Sequence, residues 1–181
     1  MGICDIAAKR RGKTCKYLQG SVIDIGAGDF PINKLYTGIR EFKEWDLPDG
    51  DAQHLRGCKQ YDTVHSSHCL EHMVDPIVAL QNWINVAKKY LVILIPDEEM
   101  YEKNTWPSPW NTDHKWSFTL KSNSTLPKSI NVIDMLAKMK NIEVIKVERL
   151  MFGWDPNDKR DQTTLEVECA IEIILKKVQN D

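Results

Sequence analysis

The sequence predicts an α/β protein of three layers, with a mostly parallel sheet and an antiparallel C-terminal strand. Three observations carry this. Val22-Ile23-Asp24-Ile25 is a β-branched run, as a strand buried on both faces prefers, and it enters the glycine turn Gly26-Ala27-Gly28. Asp75-Pro76 opens an amphipathic helix that is followed by the unbroken apolar run Leu91-Val92-Ile93-Leu94-Ile95, completing a strand–helix–strand unit. Leu165 to Leu175 then alternates with Glu166, Glu168 and Glu172, the period of a long strand partly open on one face.

Length and composition bound the rest. A chain of 181 residues is read as a single domain with one sizeable core. The 24 basic and 26 acidic residues balance, which gives no global reason to expect a nucleic-acid or membrane partner. No run of 18 apolar residues occurs and the N-terminus lacks the apolar stretch of a signal peptide, so a cytoplasmic protein is expected. Cys4, Cys15, Cys58, Cys69 and Cys169 are scattered and odd in number, as suits reduced thiols.

Taken in order, residues 1–19 form a basic segment carrying Lys9, Arg10, Arg11, Lys13 and Lys16. Gly12-Lys13-Thr14 resembles the end of a phosphate-binding P-loop, but the first glycine of that motif would fall at Ala7 and no strand precedes it. Asp29 to Tyr36 is a candidate helix start with Pro31 in its first turn. Ile39 to Trp45 is a candidate second strand, stopped by Pro48 and Gly50, and Tyr61 to Ser66 a third. The helix from Asp75-Pro76 has Ile77, Leu80, Ile84 and Ala87 on one face, with Lys88 and Lys89 at its carboxyl end. Residues 97–128 hold Trp106, Trp110 and Trp116 among prolines and polar groups, and read as a long lid or binding loop. Ile130 to Met139 returns to helical spacing, and Ile142 to Leu150 reads as a strand.

Three linked stretches resemble the class I S-adenosylmethionine-dependent methyltransferases, and among them the small type-11 enzymes. They are Val22-Ile23-Asp24-Ile25-Gly26-Ala27-Gly28, the acidic run Trp45-Asp46-Leu47-Pro48-Asp49-Gly50-Asp51-Ala52, and Tyr61 to Asp75-Pro76 with its Leu70-Glu71-His72 core. The resemblance implies a Rossmann-like sheet, reduced around the third strand because only five positions separate Asp46 from Asp51. It also implies S-adenosylmethionine as cofactor. On that reading Asp46 holds the ribose hydroxyls, with Glu41 as fallback, and Asp51 meets the adenine amino group, with Leu47 and Ala52 alongside. Gly26, Ala27 and Gly28 let the backbone approach the methionine portion, and Ser66, Ser67 and His68 line the pocket beneath the sulfonium. Asp24 either binds the amino end of the cofactor or braces the turn. A dinucleotide-binding dehydrogenase is disfavoured because its third glycine would be Pro31.

The implied reaction is methyl transfer to an oxygen or nitrogen of a small molecule, a sugar or glycan precursor in the type-11 comparison. His68 or His114 is the candidate base, and Asp97, Tyr101, Trp106 and His114 are candidate acceptor-binding residues. The chain is expected to act as a monomer or homodimer. Two other classes are weighed: a non-catalytic cofactor-binding partner subunit, and a zinc hydrolase built on His68-Cys69-Leu70-Glu71-His72. The latter spacing matches the inverted metalloprotease signature, but it falls at a strand-to-helix turn where that chemistry needs a helix, so no metal is expected.

Overall fold

The computed structural model describes residues 15–29, 31–34, 36, 38–124, 126–162 and 167–178. Most of the N-terminal basic segment, with Gly12-Lys13-Thr14, lies outside them. The strands are β1 (Gly20–Ile25), β2 (Ile39–Trp45), β3 (Tyr61–Ser67), β4 (Ala87–Pro96), β5 (Ser117–Thr119), β6 (Ser129–Asn131), β7 (Ile142–Leu150) and β8 (Ala170–Lys177). The α-helices are α1 (Pro76–Val86) and α2 (Val132–Ala137).

Six strands make one sheet in the order β2-β1-β3-β4-β8-β7. The first four run parallel, while β8 is antiparallel to both β4 and β7. The predicted mixed sheet with its antiparallel C-terminal strand is therefore present. Between β2 and β3 the chain makes only the 3-10 turn Leu47–Asp49 and irregular structure, and β2 ends the sheet on the side opposite β7. That is the reduction the short Asp46–Asp51 interval predicts.

Side chains alternate between the two faces as the pleat demands. Ile23, Ile25, Val64, Leu91, Ile93, Ile95, Ile171 and Ile173 join the larger core beneath α1 and α2. Val22, Val92 and Leu94 point the other way, into a smaller cluster with Leu18, Ile32 and Leu150, covered by the 3-10 turns Cys15–Tyr17 and Ile32–Lys34. Asp75 caps α1 by accepting the Ile77 and Val78 amides at 3.0 Å each, as its sequence position predicts.

Several local expectations change. Ile32–Lys34 is a single 3-10 turn where a helix start was expected, and α1 ends at Val86, so Lys88 and Lys89 lie in β4. The period-two run yields strand only from Ala170; residues 163–166 lie outside the described set. Nor is that strand open on one face: Glu172 is fully buried and its carboxylate accepts Lys146 Nζ at 2.7 Å. The loop after β4 is anchored rather than free. Asp97 bridges Phe118, β5 pairs with β6, and the buried Glu98 carboxylate accepts the hydroxyls of Ser117, Ser124 and Ser129.

Candidate functional site

The carboxyl ends of β1, β2 and β3 meet at a cleft of about 640 Å³, within the range of small-molecule sites. Gly26 forms its floor, Trp45 to Leu47 and Gly50 to His54 one wall, Cys69 and His72 to Val74 the other, with Lys115 at the mouth. Of the predicted cofactor residues, Gly26, Asp46, Leu47, Asp51 and Ala52 line it directly.

Each wall has a local cause. Gly26 adopts φ 73°, and its amide donates to the Trp45 carbonyl at 2.9 Å, locking the glycine turn to the end of β2. A Cβ on Gly26 would meet Cys69 Cβ and Sγ at 2.8 Å, so the missing side chain makes room for Cys69. Gly28, at φ 53°, has nothing within 4 Å of a built Cβ, and its amide donates to Asp46 at 3.3 Å. Asp46 thereby closes the turn from the end of β2. Leu47 is 94% exposed, a large apolar side chain on the cleft's rim. Asp51 is drawn toward His54, whose Nδ1 lies 2.5 Å from its carboxylate, and that contact holds its carboxyl below the usual range.

Other predicted residues lie behind or beside the cleft. Asp24 is buried, with one oxygen 2.6 Å from His65 Nδ1 and the other accepting the Ile32 amide at 2.9 Å. Of its two alternatives, this geometry is that of a brace. Ser66 is fully buried and donates to the Ile25 carbonyl, and Ser67 Oγ lies 3.1 Å from His68 Nδ1. Ala27 does not line the cleft.

The acceptor-site prediction needs two corrections. Asp97 is fully buried: Arg149 grips both its oxygens, at 2.7 and 2.8 Å, and one oxygen also accepts the Glu99 and Met100 amides, so it anchors the loop to β7 and has no face for a substrate. Trp106 is half-buried outside the cleft lining, and Trp116 Nε1 donates to the Met73 carbonyl, packing the loop down.

His68, Tyr101 and His114 do come together, and they are joined by His72, which the sequence reading weighed only within the zinc-hydrolase alternative. Ring centroids step 6.0 Å from His68 to Tyr101, 5.3 Å to His114 and 4.9 Å to His72. Only His72 in this row lines the cleft; the His114 side chain is 1% exposed. Behind them, Glu71 is fully buried on the 3-10 turn Leu70–His72, and burial pushes its carboxyl up to about 8. Burial and the neighbouring His114 lower the pKa of His72. The same desolvation pushes the Cys69 thiol up to about 12, which leaves it unsuited as a nucleophile. The signal for His72 lay within the Leu70-Glu71-His72 run, but its partners arrive from residues 113 and 114, which sequence spacing does not bring near.

No family model matches the chain, and no curated protein does either. Solved structures do. A protein described for conversion of a disulfide bond into a thioacetal group during echinomycin biosynthesis aligns at TM-score 0.60 and 14% identity, over 97% of this chain and 81% of that one. A SAM-dependent methyltransferase from Thermotoga maritima aligns at TM-score 0.55 and 16% identity, over 98% of each chain. This chain has the class I methyltransferase fold. The [4+2]-cyclase SpnF shares it at TM-score 0.54 and 10% identity, over 96% of this chain and 82% of that one. The methyltransferase fold thus also carries chemistry other than methyl transfer, and function has to be argued from the site. Among the described residues no helix is long and apolar enough to cross a membrane.

Proposed function

We propose that the protein binds S-adenosylmethionine in the cleft and transfers its methyl group to an oxygen or nitrogen of a small acceptor. The observation that carries this reading is the cleft's position at the carboxyl ends of β1 and β2, with Asp46 at the strand end and the open Gly28 turn beside it. An acid fixed there suits a ribose diol, and the exposed Leu47 suits the face of an adenine. The cofactor supplies an electrophilic methyl on a sulfonium centre. The chain's own task is alignment, and where the acceptor needs it, proton removal. His68 and His114 were the sequence candidates for the base; His72 is the member of their row that reaches the cleft.

Calorimetric titration of S-adenosylhomocysteine tests the cofactor half. A micromolar Kd, about −8 kcal/mol, is expected, weakened at least tenfold in Asp46→Ala. No heat at millimolar ligand would refute it. Labelled methyl followed into sugars, nucleotide-sugars and small amines tests the transfer half. Tight binding with no turnover on any acceptor class favours the partner-subunit reading.

A further inference from the structure

The His72–His114–Glu71 cluster has an electrostatic property that neither packing nor the cofactor explains. His72 Nδ1 lies 3.2 Å from the Asp113 carbonyl, which can only accept, so this nitrogen carries the proton and Nε2 keeps its lone pair. His114 Nδ1 lies 2.6 Å from a Glu102 oxygen, the carboxylate–imidazole contact that orients a ligating histidine. In the neutral ring this contact leaves Nε2 as the acceptor. Both Nε2 atoms face the same Glu71 oxygen, at 4.0 Å from His72 and 3.8 Å from His114. Glu71 is fully buried and neither of its carboxylate oxygens has a hydrogen-bond partner. Three side chains that can each offer a ligand atom therefore converge on one space. The nearby lysine does not satisfy Glu71, because Lys115 Nζ donates to the His72 carbonyl at 2.6 Å. Burying such a carboxylate without compensation is costly.

We propose that Glu71, His72 and His114 bind one divalent transition-metal ion, zinc by the chemistry of the donors, with an open coordination position toward the cleft. The three ligand atoms lie within 4.8 Å of one another. Zinc bonds of about 2.0–2.1 Å at tetrahedral angles need separations of roughly 3.3 Å, so the cluster closes by about an ångström on binding. Two imidazoles and one carboxylate suit zinc and its first-row neighbours, whereas magnesium and calcium prefer all-oxygen shells. His72, with its side chain 30% exposed, brings the site to the cleft wall. This reverses the sequence-based expectation of no metal, and it is not the inverted metalloprotease arrangement. There His68 and His72 would be the ligands on one helix; here His68 sits at φ 54° before a 3-10 turn and lies outside the cluster. The proposal deepens the methyl-transfer reading and rests on it only for what the open position receives: an acceptor oxygen or nitrogen, whose proton a bound cation makes easier to lose.

Untagged full-length protein, stripped with chelator and dialysed, is titrated with zinc chloride, and bound metal is counted by elemental analysis. One equivalent bound at micromolar zinc is expected. Glu71→Gln, which keeps the buried shape, and His72→Ala, at the partly exposed ligand, should each weaken it about a hundredfold. Glu102→Gln, acting through His114, should weaken it by ten- to a hundredfold. Less than a tenth of an equivalent on the wild type, or wild-type affinity in both folded ligand variants, overturns the site. S-adenosylhomocysteine is titrated into the same metal-free protein. Cofactor binding without zinc binding overturns the metal site and leaves the methyltransferase reading; zinc binding without cofactor binding does the reverse.

Discussion

His65 Nδ1 lies 2.6 Å from an Asp24 oxygen, with both side chains almost fully buried, at 4% and 3% exposure. Asp24 ties β1 to β3 through this contact and to the chain beyond the glycine turn through the Ile32 amide. Asp24→Ala should therefore cost about 3 kcal/mol, because it strands a buried imidazole and an amide together. Urea denaturation measures it, and wild-type stability in the variant would remove the bracing role.

Gly26 yields a second prediction, of a different kind. Its φ of 73° and the 2.8 Å approach of Cys69 to a built Cβ both oppose a side chain. Gly26→Ala should lose about 1–2 kcal/mol from the left-handed backbone alone, and more from the contact. Cys69→Gly removes the contact but not the backbone strain. The double variant should recover at least about 0.5 kcal/mol relative to the sum of the singles, while strict additivity would mean that Cys69 gives way freely.

Asp62 sets an acid limb of stability. Its carboxylate accepts the Ser21 amide at 3.0 Å and pairs with Lys89 at 3.0 Å, and these hold its carboxyl down to about 2. A carboxyl depressed in the folded state binds its proton more weakly there than in the unfolded chain. The resulting stability, about 2 kcal/mol, is complete above pH ~4 and lost as pH falls from ~4 toward ~2. Asp62→Asn should flatten that part of the pH–stability curve; an unchanged slope would place the acid sensitivity elsewhere.

Arg149 gives the last prediction. It is 24% exposed and holds both oxygens of the fully buried Asp97. Arg149→Ala should destabilise the protein by about 3 kcal/mol, since it leaves a buried carboxylate without its counter-ion. It should leave cofactor affinity, measured on folded protein, unchanged. A variant of wild-type stability would reopen Asp97 as an acceptor ligand.

The sheet was legible because its signals are local. Val22-Ile23-Asp24-Ile25 and Leu91 to Ile95 carry strand in their own side chains, and Asp75-Pro76 carries its cap. The cleft wall from Asp46 to Ala52 was legible for the same reason, being one contiguous run. Asp97 misled because its position after a buried strand fits either a ligand or an anchor, and Arg149, which decides it, is 52 residues away. Glu71 and His72 were visible as a motif, but Glu102 and His114 reach them only after the long loop folds back through the Lys115 and Trp116 amides to the Glu71 carbonyl.

Among the described residues β2 has a partner on one side only, the situation in which an unpaired row of backbone groups invites another chain to add a strand. What β2 presents is Arg40, Glu41, Lys43 and Glu44 in close succession, with Lys43 paired to Asp49 and Glu41 to Lys59. An incoming strand would have to displace or desolvate those charges before its own amides could pair. The border is thus not a sticky one: the same seven residues that end the sheet carry the charges that oppose another strand adding to it.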